Sequence, residues 1–354
     1  MHVPFLDLRK QNARYLSKFQ EAIAMVATSA TTILGPEVRR FETRWAKFCD
    51  RAHCVGVGNG YDAMRIMLRA YGIGPGDEVL VASNTHIATW LAVLAEGAKI
   101  VVAEPNPDTM VLGRWEVENV ITKKTKAILA TPLYGIPIYA SALRCAAPGI
   151  PILLDAAQAH GIAGDSVADA AAFSFYPTKN LGALGDGGAV VCDDATIADK
   201  MYHLRSYGAR YQNQHEVIGV NSRLDELQAV ILNIKLSDLS EGNARRKDIA
   251  DHYHARLANT RLKLPPKYGF YHQFVIRYKD RDGLRLRLKE HGIETLIHYP
   301  TPPHLQPAMK KLGYTKGSFP LAEQLSDHCL SLPIGPELDD GQVIYVANVL
   351  RQLV

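Results

Sequence analysis

No stretch of this chain approaches the roughly 18 consecutive apolar residues that a bilayer-spanning helix needs, so a membrane role is not expected. Blocks of like charge are missing too. Lys and Arg number 40 against 36 Asp and Glu, and the formal charge of +4 is scattered over 354 residues, which gives nucleic-acid binding little support. Cysteine is scarce: the five, at positions 49, 54, 145, 192 and 329, are odd in number and lack the paired spacing of a zinc site or a disulfide framework. No metal is expected, and a reducing compartment is the simplest setting. The opening Met-His-Val-Pro-Phe-Leu-Asp-Leu-Arg has neither the basic region nor the apolar core of a secretory leader, so a cytoplasmic location is expected. Internal repeats and low-complexity tracts are also absent.

What remains is the composition of an ordinary soluble enzyme, 47% hydrophobic and 21% charged. The length exceeds the usual single-domain range, which favours one large and one small domain. Leu16, Phe19, Ile23 and Val26 recur at offsets of three and four, as do Val38, Phe41, Trp45 and Phe48, so both segments read as amphipathic helices. Gly58-Asn-Gly-Tyr-Asp62 opens a third helix, and a glycine turn at a helix start presents free backbone amides that suit a phosphate. Short apolar runs then alternate with helical stretches: 79–82, 100–103, 127–130, 152–154, 171–175 and 189–192. This alternation predicts an α/β fold with a mostly parallel sheet covered on both faces. A stripe of Leu224, Leu227, Ile231 and Ile234 predicts a further helix, after which the pattern changes. The expected division is a large domain over 1–240 and a small C-terminal α+β domain over 241–354, with strands at 274–278 and 295–298 and helices at 283–291 and 342–353.

The chemistry concentrates in Phe173-Ser-Phe-Tyr-Pro-Thr-Lys-Asn-Leu-Gly-Ala-Leu-Gly-Asp-Gly-Gly-Ala189. Lys179 lies between two strand-like runs beside a glycine-rich turn, where an amine sheds its proton more readily than in water, and this makes it a candidate Schiff-base nucleophile. Asp155 follows the buried run Ile152-Leu153-Leu154, at the end of a parallel strand where doubly wound folds bind ligands. An alternative role for Asp155 is a helix N-cap. Together the amine and the carboxylate point to a carbonyl-bearing cofactor with a basic ring nitrogen, of which pyridoxal 5'-phosphate is the obvious example.

These two segments, Phe173 to Ala189 and Asp155-Ala-Ala-Gln-Ala-His160, closely resemble the signature of the DegT/DnrJ/StrS family of pyridoxal-phosphate-dependent nucleotide-sugar aminotransferases. The likeness runs from Pro4-Phe-Leu-Asp-Leu8 to Ser331-Leu-Pro333. It implies the fold type I, aspartate aminotransferase-like architecture. By that resemblance Lys179 tethers the cofactor and then serves as acid and base, while Asp155 pairs with the protonated pyridine nitrogen. Gln158 contacts the ring 3-hydroxyl, and His86 falls where relatives place a ring that stacks on the cofactor. Ser174 and the backbone amides of Gly60 and Tyr61 hold the phosphate. Asn221 reaches the phosphate from the other subunit of a homodimer, its alternative being a helix cap. His160 reads as a hydrogen-bonded core histidine.

Several positions depart from the family pattern. Tyr61 stands where many relatives carry threonine, and Thr131-Pro-Leu-Tyr-Gly135 replaces a Val-His-Leu-Tyr-Gly segment, so that Pro132 takes the place of a histidine. The stretch between Gly161 and Ala171 is shorter than usual. Ile297-His-Tyr-Pro-Thr-Pro-Pro-His304 resembles the family's acceptor segment, which places His298, Tyr299 and His304 against the nucleotide-sugar; a rigid domain connection is its plainer reading. Arg205, Arg210 and Arg223 either meet a diphosphate or form surface ion pairs. Asn59-Gly-Tyr-Asp-Ala63, Ala103-Glu-Pro-Asn-Pro-Asp108 and the Pro300–His304 loop are closest to the subgroup acting at a 3-keto carbon. The expected reaction moves an amino group from glutamate, or less readily glutamine, to a dTDP-linked 3-keto-6-deoxyhexose. The alternatives are a 4-keto-sugar or aminocyclitol aminotransferase and a non-catalytic regulatory member. A dehydrating branch with histidine in place of the tethering lysine is disfavoured by Lys179.

Overall fold

The structure is a computed structural model and describes residues 1–161, 168–211 and 213–354. The shortened stretch expected between Gly161 and Ala171 falls mainly on 162–167, outside the described residues.

Seven strands form the central sheet: β1 (His53–Val57), β2 (Glu78–Ala82), β3 (Lys99–Ala103), β4 (Thr125–Ala130), β5 (Ile152–Asp155), β6 (Ala170–Ser174) and β7 (Gly188–Cys192). Their order is β1-β7-β6-β5-β4-β2-β3. Strands β3, β2, β4, β5 and β6 run parallel, whereas β7 is antiparallel to both β6 and β1. The sheet is therefore α/β and mostly parallel. The parallel strands are dominated by Val, Ile, Leu and Ala because helices cover both faces, and their polar residues fall mainly at the strand ends. One face packs around Phe41, Trp45, Leu80, Ile128, Leu154 and Phe173, the other around Met67, Val79, Trp90, Leu129 and Leu153. Alternate residues of one strand thus serve opposite cores.

β1 escapes the pattern of apolar runs because it is a short edge strand interrupted by Gly56, and among the described residues the antiparallel β7 is its only ladder partner. Helix Leu16–Thr28 forms over the expected stripe, but it buries Phe19, Ala22 and Val26 while Leu16 and Ile23 stay exposed. It lies against Val230 and Ile231 of helix Glu226–Leu236.

A hairpin of β8 (Ala209–Tyr211) and β9 (Gln214–His215) precedes that helix. Helix Leu239–Leu257 then links two cores: Leu239 packs with the large sheet, whereas Ile249, Ala250, Tyr253 and Leu257 pack with residues up to Leu350. In the second core β10 (Phe274–Arg277) pairs antiparallel with β11 (Cys329–Leu332), flanked by helices Arg281–Glu290 and Asp340–Leu353. Val3 belongs to this core as well. The strand expected at 295–298 reduces to one bridge, Leu296 with Ser331. Two residues later His298 Nδ1 meets the Ser331 hydroxyl at 2.8 Å, and Pro300, Pro302 and Pro303 lack the N–H groups that would extend the ladder.

Candidate active site

The carboxyl ends of the parallel strands place the chemistry. Asp155 is the last residue of β5 and pairs in register with Ala172 of β6, and Ser174 stands two residues further at the end of that neighbouring strand. Asp155 is buried at 4% exposure. Its Oδ2 accepts a hydrogen bond of 2.6 Å from the Thr89 hydroxyl and its Oδ1 one of 3.3 Å from the amide of Ala157. The carboxylate is thereby held in one orientation from helix Ile87–Ala95 behind it. The cap of the next helix, one alternative for Asp155, is not formed, since residues 156–161 are turns and irregular backbone with no helix.

Lys179 rises from the turn after β6. Burial lowers its pKa to about 8, against the opposing pull of Asp155, which favours the charged form. At pH 7 about a tenth of such amines are unprotonated, compared with about one in 3,000 for an ordinary lysine. A usable nucleophile and proton carrier therefore lies close to a fixed carboxylate.

Beside them is an anion cradle. Helix Gly60–Ala70 starts after its N-cap Asn59, whose side chain takes the Asp62 amide at 2.8 Å, and the first intrahelical bond runs from Ala63 to Asn59. The amides of Gly60 and Tyr61 precede that bond, so helix geometry leaves them without an intrahelical acceptor, and the helix dipole adds to their pull on an anion. Ser174 abuts this end: a Cβ on Gly60 would lie 2.5 Å from the Ser174 Cβ. Asp62 in turn receives the Ser222 hydroxyl at 2.7 Å, and Ser222 Oγ accepts the Gly58 amide at 3.0 Å. The neighbouring Asn221 is exposed.

Gln158 is fully oriented. Its Oε1 accepts the Tyr134 amide at 2.6 Å and its Nε2 donates to the Tyr299 hydroxyl at 2.9 Å, leaving one amide hydrogen. Tyr299 lies between Gln158 and His86, and the Tyr299 and His86 rings meet edge to face with centroids 5.1 Å apart. His86 caps helix Ile87–Ala95 through Nδ1, 3.2 Å from the Ala88 amide, and burial lowers its pKa. His298 is also held neutral, its pKa pushed to about 4 by burial and then by Lys179. Its carbonyl accepts a hydrogen bond from the Tyr134 hydroxyl.

The predicted residues do not all reach one crevice. His304 is only 2% exposed, packs against Phe319, and shares its Nε2 with Glu323 Oε1 at 2.9 Å. Arg205 is committed to a buried pair with Glu42 and to the Gly56 carbonyl. Arg210 lies near Glu216 on the surface, and Arg223 sits over the Tyr207 ring. His160 is the buried, hydrogen-bonded residue its sequence context suggested.

Thr89, Tyr134 and Ser222 were missed as contributors. Only Thr89 left a trace, lying one helical turn beyond His86 on a predominantly apolar helix. The Thr85 and Thr131 hydroxyls and Asn84 Oδ1, which follow the ends of β2 and β4, are buried without a protein partner among the described residues. Buried polar atoms at strand ends, an anion cradle, a fixed carboxylate and an amine of lowered pKa fit a phosphorylated pyridine aldehyde.

Comparison with known proteins agrees. The family model of the DegT/DnrJ/EryC1/StrS aminotransferase family matches residues 15–351. The chain is 46% identical to the erythromycin biosynthesis sensory transduction protein EryC1 of Saccharopolyspora erythraea, over 99% of both chains. It is 45% identical to dTDP-3-amino-3,4,6-trideoxy-alpha-D-glucose transaminase of Streptomyces venezuelae, covering 99% of this chain and 96% of the relative. A crystal structure of S. venezuelae DesV in complex with a ketimine intermediate superposes with a TM-score of 0.97 at 44% identity, covering 99% of this chain and 98% of the other. Matched along nearly its whole length, the chain belongs to the DegT/DnrJ/EryC1/StrS aminotransferase family.

Proposed function

We propose that the protein is a pyridoxal-5'-phosphate-dependent aminotransferase that carries the amino group of glutamate to the 3-keto carbon of a dTDP-linked 3-keto-6-deoxyhexose. The observation that carries this reading is Lys179, with its lowered pKa, close to the anchored Asp155. Bound at this site, pyridoxal phosphate supplies an aldehyde that captures an amino group and a cationic ring that accepts electron density. Lys179 Nζ provides the tether and moves a proton to and from substrate carbon. Asp155 keeps the ring nitrogen protonated, Gln158 directs its remaining amide hydrogen at the ring oxygen, and His86 packs on the ring. Gly60, Tyr61 and Ser174 hold the phosphate. Tyr299 and His298 face the sugar, and His304 supports that loop from beneath.

The 3-keto acceptor is supported by the name of the S. venezuelae relative and by the acceptor-side sequence. A homodimer with shared active sites is supported by exposed Asn221 and by apolar side chains exposed around the lysine turn, Tyr176, Leu184 and Leu227. Monomers separated by dilution should then lose cofactor. No helix among the described residues is long and apolar enough to cross a membrane, and all five cysteines are free, which accords with work in the cytoplasm. The division near residue 240 belongs to the same reading.

Assay with 3-keto and 4-keto dTDP-sugars, glutamate and pyridoxal phosphate tests the assignment. Amination of the 3-keto compound is expected, and amination of the 4-keto compound alone would overturn it. One relative carries the name of a sensory transduction protein, which keeps a regulatory reading in view. Purified protein with neither visible absorption nor cofactor by mass spectrometry would favour that reading.

A further inference from the structure

The turn that carries Lys179 is held from outside at four of its next five residues. Asn180 Nδ2 donates to Asn243 Oδ1 at 2.9 Å and to the Phe270 carbonyl at 3.3 Å, and Asn180 Oδ1 meets His272 Nδ1 at 3.1 Å. The Leu181 amide donates to His160 Nδ1 at 3.0 Å. The Gly182 carbonyl accepts from Lys235 Nζ at 2.6 Å, and the Leu184 amide donates to Gln228 Oε1 at 2.9 Å. Gly182 has no room for a side chain, because a Cβ there would lie 2.3 Å from the Pro177 carbonyl oxygen.

Two of these contacts close a ring. Asn243 Nδ2 donates to the His160 carbonyl at 2.6 Å, so the path from Asn180 to Asn243, to His160, to Leu181 returns to its start. His160 ends the segment that begins at Asp155. Its Nδ1 can accept the Leu181 amide only while unprotonated, and burial, followed by Lys179, drives its pKa down to about 3. Asn243 is fitted closely: a Cβ on Gly161 would lie 2.6 Å from its Nδ2. The buried guanidinium of Arg246 braces the far side through the His272 and Ile334 carbonyls, at 3.3 and 3.0 Å.

We propose that Asn180 is a positioning residue for the reaction, the member of this hydrogen-bonded ring that fixes the direction of Lys179 relative to Asp155 and ties both to the C-terminal segment. Its side chain reaches three partners drawn from residues 243–272, which take both Nδ2 hydrogens and one lone pair of Oδ1. Without it the turn keeps its backbone contacts at Leu181, Gly182 and Leu184 but loses the bond beside the reactive amine. The lysine then samples orientations in which Nζ is better hydrated and poorly aimed, and an error of about 1 Å in placing a reacting group costs on the order of a hundredfold in rate.

The test reads Lys179 in the full-length, cofactor-free protein. Pulse acylation with acetic anhydride across pH 6 to 10, quantified on the Lys179 peptide by mass spectrometry, gives its titration. Wild type should show half-maximal labelling near pH 8. Asn180→Ala should move the midpoint upward by about one unit as the amine becomes solvated. In the holoenzyme it should lower kcat by about tenfold or more while changing KM for glutamate less than about threefold. Asn243→Ala should give the same pattern, and the double variant little more than either, as members of one network do. Should Asn180→Ala fail to fold, Asn180→Ser replaces it with the same expectation. An unmoved Lys179 titration, with kcat either unchanged or reduced only in step with the folded fraction, would overturn the proposal. The inference rests on Lys179 as the reactive amine. Because the labelling needs neither cofactor nor sugar, it survives a wrong acceptor assignment and fails separately from it.

Discussion

Thr89 donates its hydroxyl proton to Oδ2 of Asp155 across 2.6 Å, linking a helix otherwise rich in apolar residues to the carboxylate at the end of β5. That bond spends a lone pair of Oδ2, and in the proposed function the carboxylate, whose Oδ1 also accepts the Ala157 amide, faces the ring nitrogen. Thr89→Val keeps the shape and removes the donor. Expected are a loss of about 1–3 kcal/mol in transition-state stabilisation, seen as a fall of about 5- to 150-fold in kcat/KM, and little change in melting temperature, measured by steady-state kinetics and thermal denaturation.

Gly60 faces Ser174 so closely that any side chain collides. Gly60→Ala must push the helix start away from β6, at a cost of about 1–3 kcal/mol if absorbed as overpacking. The displaced cradle should weaken pyridoxal phosphate binding by about tenfold or more, read by absorbance titration of the cofactor-free protein.

His304 illustrates a role that burial changes. Enclosed against Phe319 and bonded to Glu323, which also accepts the Gly317 amide at 2.7 Å, it supports the 297–304 loop from within. His304→Ala should lower the melting temperature by several degrees, whereas Tyr299→Phe, which removes the partner of Gln158, should leave stability nearly unchanged and alter KM for the sugar.

Lys235 sets a pH dependence of stability. Burial lowers its pKa to about 8, and Arg14 adds to the effect. Between pH 8 and 10.5 the unfolded chain binds the proton that the folded chain has shed, so this group makes stability rise with pH in that window. Wild type should gain about 2–3 kcal/mol relative to Lys235→Met between pH 8 and pH 10, measured by denaturant unfolding at each pH. A constant difference would show that Lys235 keeps an ordinary pKa.

Much of this arrangement is legible in the sequence. The central strands announce themselves because a strand covered on both faces has no polar alternation, as in Ile152-Leu153-Leu154. The Lys179 turn does so because Gly182 and Gly188 are sterically obligatory, a Cβ on each lying 2.3 Å from the carbonyl oxygen of Pro177 and of Asn59 respectively. Other features depend on distant partners. β11 pairs with β10 across some fifty residues, and its Cys329-Leu-Ser-Leu332 has little periodicity of its own. Asn180 stands inside the quoted motif, yet its partners Asn243 and His272 lie 63 and 92 positions away. Nothing local marks Arg205 as internal, because the Glu42 that neutralises it belongs to a helix 163 positions earlier.

In the proposed reaction the amino group of glutamate passes to a 3-keto sugar through bound pyridoxal phosphate, with Lys179 as tether and proton carrier. Visible absorption of the holoenzyme tests it most directly, followed first on adding glutamate and then on adding the dTDP-linked 3-keto-6-deoxyhexose. The expected result is a cofactor band that bleaches with glutamate, returns with the 3-keto sugar, and shows no such cycle in Lys179→Ala. A band indifferent to glutamate, or one restored only by a 4-keto sugar, would contradict it.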